Sequence, residues 1–359
     1  MLEPASATIT SYETEDRTER GGATERVKNR MRVSVVIPCF NEERYIGKVL
    51  ENLSGQYETD SFEIVIVDGM SEDGTREVVT SFAEDNPHVR VRLVDNPARH
   101  IPAGLNRGIA AASGELIVRM DAHSVPSINY VRRCVELLES GKAEVCGMPW
   151  RIEPGADSLV ARAIALAVAH PFGIGDAKYR QPNLAASQLV DTVPFGAFSK
   201  SLWQELGGFD ESLLANEDYD FYYRVRRRGG RILLDASGYS SYYARATLGA
   251  LARQYFRYGR WKAEMLKGNP RSIRPRQMVA PAFVLALLLS GAVGIVWTPA
   301  LLLFLLIAVS YSLFATAFAV QLALKGRDFK LALVLPLVFF IIHTTWGSGF
   351  LLSFLKPPR

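Results

Sequence analysis

Towards its carboxyl end the chain carries three long apolar stretches in succession, at about 279–297, 300–324 and 331–355. Each reaches the roughly 20 residues that a helix needs to span a bilayer. Three such runs in a row are unusual for a soluble core, the alternative reading. From Met278 to Pro358 the only acidic or basic side chains are Lys325, Arg327, Asp328, Lys330, His343 and Lys356, so nearly all the charge lies upstream. The first connection, Trp297-Thr298-Pro299, is uncharged, whereas the second holds Lys325, Arg327 and Lys330. By the positive-inside rule the second loop and everything before Met278 face the cytoplasm, with the chain multi-pass in the inner membrane. Lys356 and Arg359 then fall on the far side, a conflict that a re-entrant hairpin for the first two stretches removes.

The remainder is long enough for one large domain in a chain of 359 residues. The formal net charge of +4 is too mild for nucleic acid, which asks for a dense basic stripe. An anionic membrane surface or a small anionic substrate suits it better. Cys39, Cys134 and Cys146 are odd in number and show no Cys-x-x-Cys spacing, which argues against a disulfide framework or a zinc site. Residues 1–30 are polar with charges of both signs, lack the apolar core of a signal peptide, and read as a disordered tail.

Between 32 and about 121, short Val- and Ile-rich runs alternate with helical spacing. Strands are expected at 33–37, 62–67, 89–94 and 115–120, with helices at 43–53, 76–82 and 103–112. That alternation predicts βαβ units around a mostly parallel sheet covered on both faces. Such sheets bind ligands beyond the carboxyl ends of their strands. The rule selects Cys39–Asn41, Asp68 and Asp121–His123 before any motif is considered. Further helices are expected at 157–169, 203–209 and 217–228, the last capped by Asn216 and stopped by Gly229-Gly230. The stretch 248–267 mixes aromatic bodies with basic heads, the composition of an interfacial helix.

Several chemistries are missing. The first strand runs into Pro38-Cys39-Phe40-Asn41-Glu42, not a Gly-x-Gly-x-x-Gly turn, and no P-loop or Gly-x-Ser-x-Gly elbow occurs. Asp68-Gly69-Met70-Ser71-Glu72-Asp73-Gly74 is a poor calcium loop, because its twelfth position is Val79. On the positive side, Asp121-Ala122-His123 sets a carboxylate and an imidazole on one side of an extended segment, where both can ligate a divalent cation that clamps a diphosphate. A surface aspartate beside a capped histidine is the plainer alternative. Glu217 and Asp218 open a helix, either as charges that complement its dipole or as a general base, with Asp220 and Arg224 at ion-pair spacing.

Taken together, these segments resemble the inverting family 2 glycosyltransferases of GT-A fold. Val35–Glu42 is similar to the family's opening strand and Pro-x-x-Asn-Glu turn, and Val67–Thr75 to its nucleotide-contacting Asp-x-x-Ser-x-Asp-Gly-Thr loop. Asn106-Arg107-Gly108 with Ala112–Glu115 resembles the approach to its Asp-x-Asp motif. Gly207–Glu211 followed by Asn216-Glu217-Asp218 resembles its acceptor segment and catalytic Glu-Asp. The likeness covers about 32–265. Asp121-Ala122-His123, Val193–Phe198 and Gln254–Gly259 are closer to the membrane-associated glucosyltransferases of succinoglycan biosynthesis.

The resemblance implies an α/β GT-A catalytic domain at 31–245, an interfacial helix and basic linker at 246–277, and about three transmembrane helices at 278–359. It implies Asp218 as the base, with Glu217 and Arg224 supporting it. Donor contacts would come from Pro38, Asn41, Glu42, Asp68, Asn106, Asp121, Gln254 and Arg257. Asp121 and His123 would hold Mg²⁺ or Mn²⁺; His123 stands where the family commonly has a second aspartate, and imidazole suits Mn²⁺ better. The implied partners are a nucleotide-sugar, UDP-linked, and a polyprenyl-diphosphate-linked or other glycan acceptor at the membrane, with no nucleic acid. The implied reaction is transfer of a hexose, glucose first, in exopolysaccharide or surface-glycan assembly. Gln254 and Arg257 also match the Gln-x-x-Arg-Trp of processive synthases apart from Tyr258. A processive polysaccharide synthase and a non-catalytic nucleotide-binding membrane protein are the alternatives.

Overall fold

A computed structural model describes residues 32–181 and 184–355. The expected disordered tail, and the charges of Lys356 and Arg359, lie outside the described residues. The chain divides into two compact units: Met1–Pro149 with Leu184–Ser241, and Trp150–Asn183 with Tyr242–Arg359.

The first unit begins with β1 (Val33–Cys39), α1 (Ile46–Ser54), β2 (Phe62–Asp68), α2 (Thr75–Asp85), β3 (Arg90–Asp95), α3 (Ile101–Ala111), β4 (Leu116–Arg119), α4 (Tyr130–Glu139) and β5 (Val145–Gly147). The chain then enters the second unit with β6 (Trp150–Glu153), α5 (Leu159–Ala167) and α6 (Pro171–Ile174). It returns to the first with β7 (Gln188–Leu189), β8 (Ala197–Ser199), α7 (Lys200–Glu205), α8 (Glu217–Arg227) and β9 (Ile232–Leu234). After β10 (Ser240–Tyr243) the second unit is completed by α9 (Leu248–Gly268), α10 (Pro275–Gly294), α11 (Thr298–Gly326) and α12 (Leu331–Phe354).

Eight strands of the first unit form one sheet in the order β3-β2-β1-β4-β8-β5-β9-β7. The four strands on the β3 side are parallel, β8 runs against both its neighbours, β5 and β9 are again parallel, and β7 closes the edge antiparallel. All seven residues of β2 are buried, as expected of a strand covered on both faces. Helix α1 turns Ile46, Val49, Leu50 and Leu53 inward, each fully buried, and each such side chain contributes about 1.5–3 kcal/mol. Gly108 lets α3 approach the sheet closely: a Cβ there would stand 2.5 Å from Val67 Cγ2 and 2.6 Å from Val36 Cγ1. The register aligns Cys39 with Asp68, and Asp68 with Asp95, so three parallel strands end side by side.

Local sequence explains several boundaries. Ser158 and Ser199 accept from Ala161 N and Leu202 N and so start α5 and α7, the latter earlier than the pattern at 203–209 indicates. Asn216 behaves differently from expectation. It sits in the left-handed region at φ 64 and makes no side-chain cap to α8. Asparagine tolerates that conformation. The start of α8 is instead favoured by Glu217, Asp218 and Asp220 in its first turn, opposite Arg224, Arg226 and Arg227 in its last.

In the second unit α10, α11 and α12 are 20, 29 and 24 residues long with mean hydropathies of 1.8, 2.3 and 1.8, long and apolar enough to cross a membrane. Ala319 and Ala323 of α11, Val338, Phe339 and Ile342 of α12, Ile164 of α5 and Leu251 and Tyr255 of α9 form one buried cluster. Most of α11 carries exposed leucines such as Leu302, Leu306 and Leu313. An apolar surface of that extent asks for a nonaqueous partner.

Candidate active site

The polar groups at the carboxyl ends of β1, β2 and β4 form a connected series. It starts at Asp68, the last residue of β2, which is fully buried. Its carboxylate accepts from Ser71 N (3.0 Å), Ser71 Oγ and Arg76 Nη1 (2.8 Å). Arg76 also reaches Asp95 at 2.9 Å, so it bridges two neighbouring strand ends. Burial, with Asp68 and Glu42 nearby, pushes the Cys39 thiol well up, which removes it as a thiolate nucleophile.

The loops after β1 and β2 are laced together. Asn41, at φ 56, accepts from Glu72 N through Oδ1 (2.9 Å), and its own N–H donates to Ser71 Oγ (2.9 Å). Glu42 N donates to Thr75 Oγ1 at 2.8 Å. Pro38 lies inside β1 opposite Val67, half-buried. The Glu42 carboxylate meets His123 Nδ1 at 2.9 Å. That contact joins the β1 loop to the segment after β4.

Asp121 and His123 lie at a turn, not on the extended segment expected from their spacing. Their side chains meet different partners: Asp121 faces Arg119 at 3.5 Å, while His123 turns to Glu42. The Glu42 contact bears on how His123 could act as a ligand. A histidine ligand ordinarily donates one ring N–H to a carboxylate and ligates through the other nitrogen. With Nδ1 directed at Glu42, Nε2 of the 44 % exposed His123 side chain carries the lone pair. Among the described residues no cluster of three or more His, Cys, Asp or Glu side chains forms a complete metal cage.

The centre of the site is Arg119, which the sequence motifs do not single out. It ends β4, is 6 % exposed, and meets three carboxylates: Asp121 Oδ1 at 3.5 Å, Glu217 Oε1 at 3.4 Å and Asp218 Oδ2 at 3.4 Å. Its Nε has no hydrogen-bond partner. A charged residue in the run Leu116-Ile117-Val118-Arg119-Met120 was the available signal, since a buried cation in a strand demands counter-charge. Burial and the neighbouring Asp218 raise the Glu217 carboxyl to about 7 against the opposing pull of Arg119. Asp218 is the most open of the three carboxylates, with 32 % of its side chain exposed.

The raised Glu217 carboxyl makes stability depend on pH. Below about pH 4.3 the carboxyl is protonated folded and unfolded alike. As pH rises towards about 7, the unfolded chain has released a proton that the folded chain keeps, so stability falls through that window. Glu217→Gln is expected to flatten the loss of melting temperature between about pH 4 and about pH 7. An equally steep loss in that variant would assign the dependence to another group.

Arg224 and Asn106 hold the segment from Leu206 to Glu211. Arg224 pairs with Asp220 at 2.8 Å and donates to Leu206 O and Gly208 O at 2.6 and 2.8 Å. The amide of Asn106 donates to Phe209 O and Glu211 Oε1, both at 2.9 Å, while its Oδ1 accepts from Phe209 N (2.8 Å) and Trp203 Nε1 (3.2 Å). Both amide hydrogens are therefore spent on protein. Asn106 thereby holds the backbone after the Gly207-Gly208 turn. Gly208 is at φ +76, and a Cβ there would approach Asn106 Oδ1 to 2.8 Å. Gln254 and Arg257 belong to the second unit. Gln254 is buried and donates to the hydroxyls of Tyr242 and Tyr258, both at 3.1 Å, and Arg257 is exposed on α9.

Residues 34–206 match the family model described as glycosyl transferase family 2. The chain is 31 % identical over 326 residues to the succinoglycan biosynthesis protein ExoA of Rhizobium meliloti (strain 1021), covering 88 % of this chain and 93 % of that one. It is 25 % identical over 329 residues to a Methanococcus voltae dolichyl N-acetyl-alpha-D-glucosaminyl phosphate 3-beta-D-2,3-diacetamido-2,3-dideoxy-beta-D-glucuronosyltransferase, covering 90 % of this chain and 97 % of that one. Among solved structures, the mannosyltransferase PcManGT of Pyrobaculum calidifontis, in complex with GDP-Man and Mn²⁺, shares the fold with a TM-score of 0.59 at 20 % identity, over 90 % of this chain and 87 % of that one.

Proposed function

The chain belongs to glycosyltransferase family 2, and on that premise we propose that it is an inverting enzyme that moves a hexose from a nucleotide-sugar to a lipid-linked sugar at the cytoplasmic face of the inner membrane. Glucose on UDP is the first donor to test, and a polyprenyl-diphosphate-linked sugar the first acceptor. Exopolysaccharide or surface-glycan assembly is the setting. The observation that carries this reading is the Arg119 centre, which brings Asp121, Glu217 and Asp218 together beyond the strand ends. The span-length helices α10–α12 support the membrane setting.

Asp218, the carboxylate open to an incoming molecule, accepts the proton of the acceptor hydroxyl as that oxygen attacks the anomeric carbon. The bond to the nucleoside diphosphate breaks on the opposite face, so one displacement inverts the anomeric centre. Arg119 directs the Asp218 carboxylate, and Glu217 completes the set of carboxylates around the guanidinium. Asp68 and the laced loops at Asn41 and Glu42 frame the nucleotide. Asp121 and His123 would hold Mn²⁺ or Mg²⁺, which, when bound, offsets the negative charge of the departing diphosphate.

Membranes carrying the chain, incubated with radiolabelled sugar nucleotides, are expected to yield a lipid-extractable product one sugar longer than its acceptor. A ladder of lengths by mass spectrometry would instead identify a processive synthase. For the cation, His123→Ala is expected to raise the Mn²⁺ concentration at half-activity more than it changes donor KM at saturating metal. His123→Asp is expected to restore activity and move the preference towards Mg²⁺. A metal titration unchanged by the alanine substitution would leave Asp121 as the sole protein ligand.

A further inference from the structure

The second unit buries an arginine that forms no ion pair with a carboxylate among the described residues. Arg180, on the turn Lys178–Arg180, is 8 % exposed. Its Nε donates to Tyr179 Oη (3.1 Å) and its Nη1 to Tyr255 Oη (3.4 Å). The guanidinium carbon lies 4.7 Å from the Trp150 ring centre, 5.4 Å from that of Tyr179 and 5.8 Å from that of Tyr242. Trp150 and Tyr242 are stacked at 4.0 Å with 7° between their planes. No Asp or Glu among the described residues forms an ion pair with Arg180, whereas other buried or half-buried arginines such as Arg119 and Arg224 have one.

A buried cation without counter-charge is costly, and aromatic faces offset only part of that cost. The hydroxyls around it are arranged in one sense. Those of Tyr179 and Tyr255 accept from Arg180, and that of Tyr242 accepts from Gln254 Nε2. A tyrosine hydroxyl that accepts keeps its own proton to donate. The cage therefore presents a guanidinium and several O–H donors and no anionic acceptor, which is the complement of a phosphate group. Tyr255 is also part of the buried cluster that contains Val338, Phe339 and Ile342 of α12. The cage thus adjoins a helix long and apolar enough to lie in a membrane. A phosphate that arrives attached to an apolar chain fits both halves of that surrounding.

We propose that Arg180, with the hydroxyls of Tyr179, Tyr242 and Tyr255, binds the diphosphate of the lipid-linked acceptor. The inference deepens the transferase reading above and rests on its lipid-linked acceptor. It also gives Gln254 a positioning role, holding the Tyr242 hydroxyl, in place of direct donor contact.

The test uses the purified full-length chain in detergent, with farnesyl diphosphate, inorganic diphosphate and UDP as calorimetric probes. Arg180→Gln is expected to weaken farnesyl diphosphate at least about tenfold, as the loss of a charge-assisted pair does, and to weaken inorganic diphosphate with it. UDP affinity is expected to stay unchanged. Tyr255→Phe, which keeps the packing and removes one hydroxyl, is expected to weaken farnesyl diphosphate by a smaller factor and carries the test should Arg180→Gln not fold. Farnesyl diphosphate bound equally by wild type and a folded variant, or not bound by wild type at all, overturns the site. An equal loss for UDP would assign the cage to the nucleotide and overturn the acceptor assignment. Because binding is read without turnover, failure here is distinct from failure to transfer sugar.

Discussion

Replacing Asp218 with asparagine is expected to lower turnover at least about 10²-fold while donor affinity stays close to that of the parent. The amide keeps the size of the side chain and can still accept from Tyr219 N, which Asp218 Oδ1 does now at 2.7 Å. What it loses is the capacity to take a proton from the acceptor hydroxyl. The fold should tolerate the change, because Arg119 retains Asp121 and Glu217 as counter-charges. Asp218 is also one of the groups that raise the Glu217 carboxyl, so that carboxyl should become more acidic in the variant. Steady-state kinetics with donor titration checks the claim, and near-normal turnover would remove Asp218 from the role of base.

Replacing Arg119 with glutamine is expected to cost stability as well as activity. The substitution leaves Asp121, Glu217 and Asp218 around a site without its cation, Glu217 buried and the other two partly exposed. Breaking a buried ion pair from one side costs about 3–5 kcal/mol, and the repulsion among the remaining carboxylates acts in the same direction. Above about pH 7, where the Glu217 carboxyl would carry charge, adding Glu217→Gln should recover part of the melting temperature by removing the most buried of the three carboxylates, but little of the activity, since Asp218 remains undirected. Thermal melts of the two single variants and the double variant give the coupling. An Arg119→Gln protein that melts and turns over like the parent would show that the three carboxylates do not depend on the guanidinium.

The parallel half of the sheet was legible because β1, β2 and β4 are uninterrupted Val- and Ile-rich runs with a helical period between them. Strands β5, β8 and β9 have three residues each, too few to show any period, and their places follow from pairing alone. The excursion of 150–183 into the second unit has no compositional mark at either end; it follows from packing among α5, α9 and α12. Asp68 and Asp121 were picked out as candidates by their places after strands, whereas Asp218 was picked out only by the family resemblance, since acidic residues at a helix start read equally as complements of its dipole. Arg119 was not, because a charge inside a strand reads locally as an exposed edge and only the fold brings Glu217 and Asp218 to it from about a hundred residues away. Asn106 carried a motif position, but its hydrogen bonds reach Trp203, Phe209 and Glu211, which no local pattern connects to it. Arg180 stood in a stretch with no motif at all.

The central claim is that this site transfers one sugar with inversion. The most direct measurement is the anomeric configuration and length of the product made by the purified full-length chain from an α-linked sugar nucleotide, read by nuclear magnetic resonance and mass spectrometry. A single added sugar in β linkage is expected, with release of one nucleoside diphosphate per linkage and loss of product in Asp218→Asn. An α-linked product, or β-linked product formed undiminished by Asp218→Asn, would contradict it.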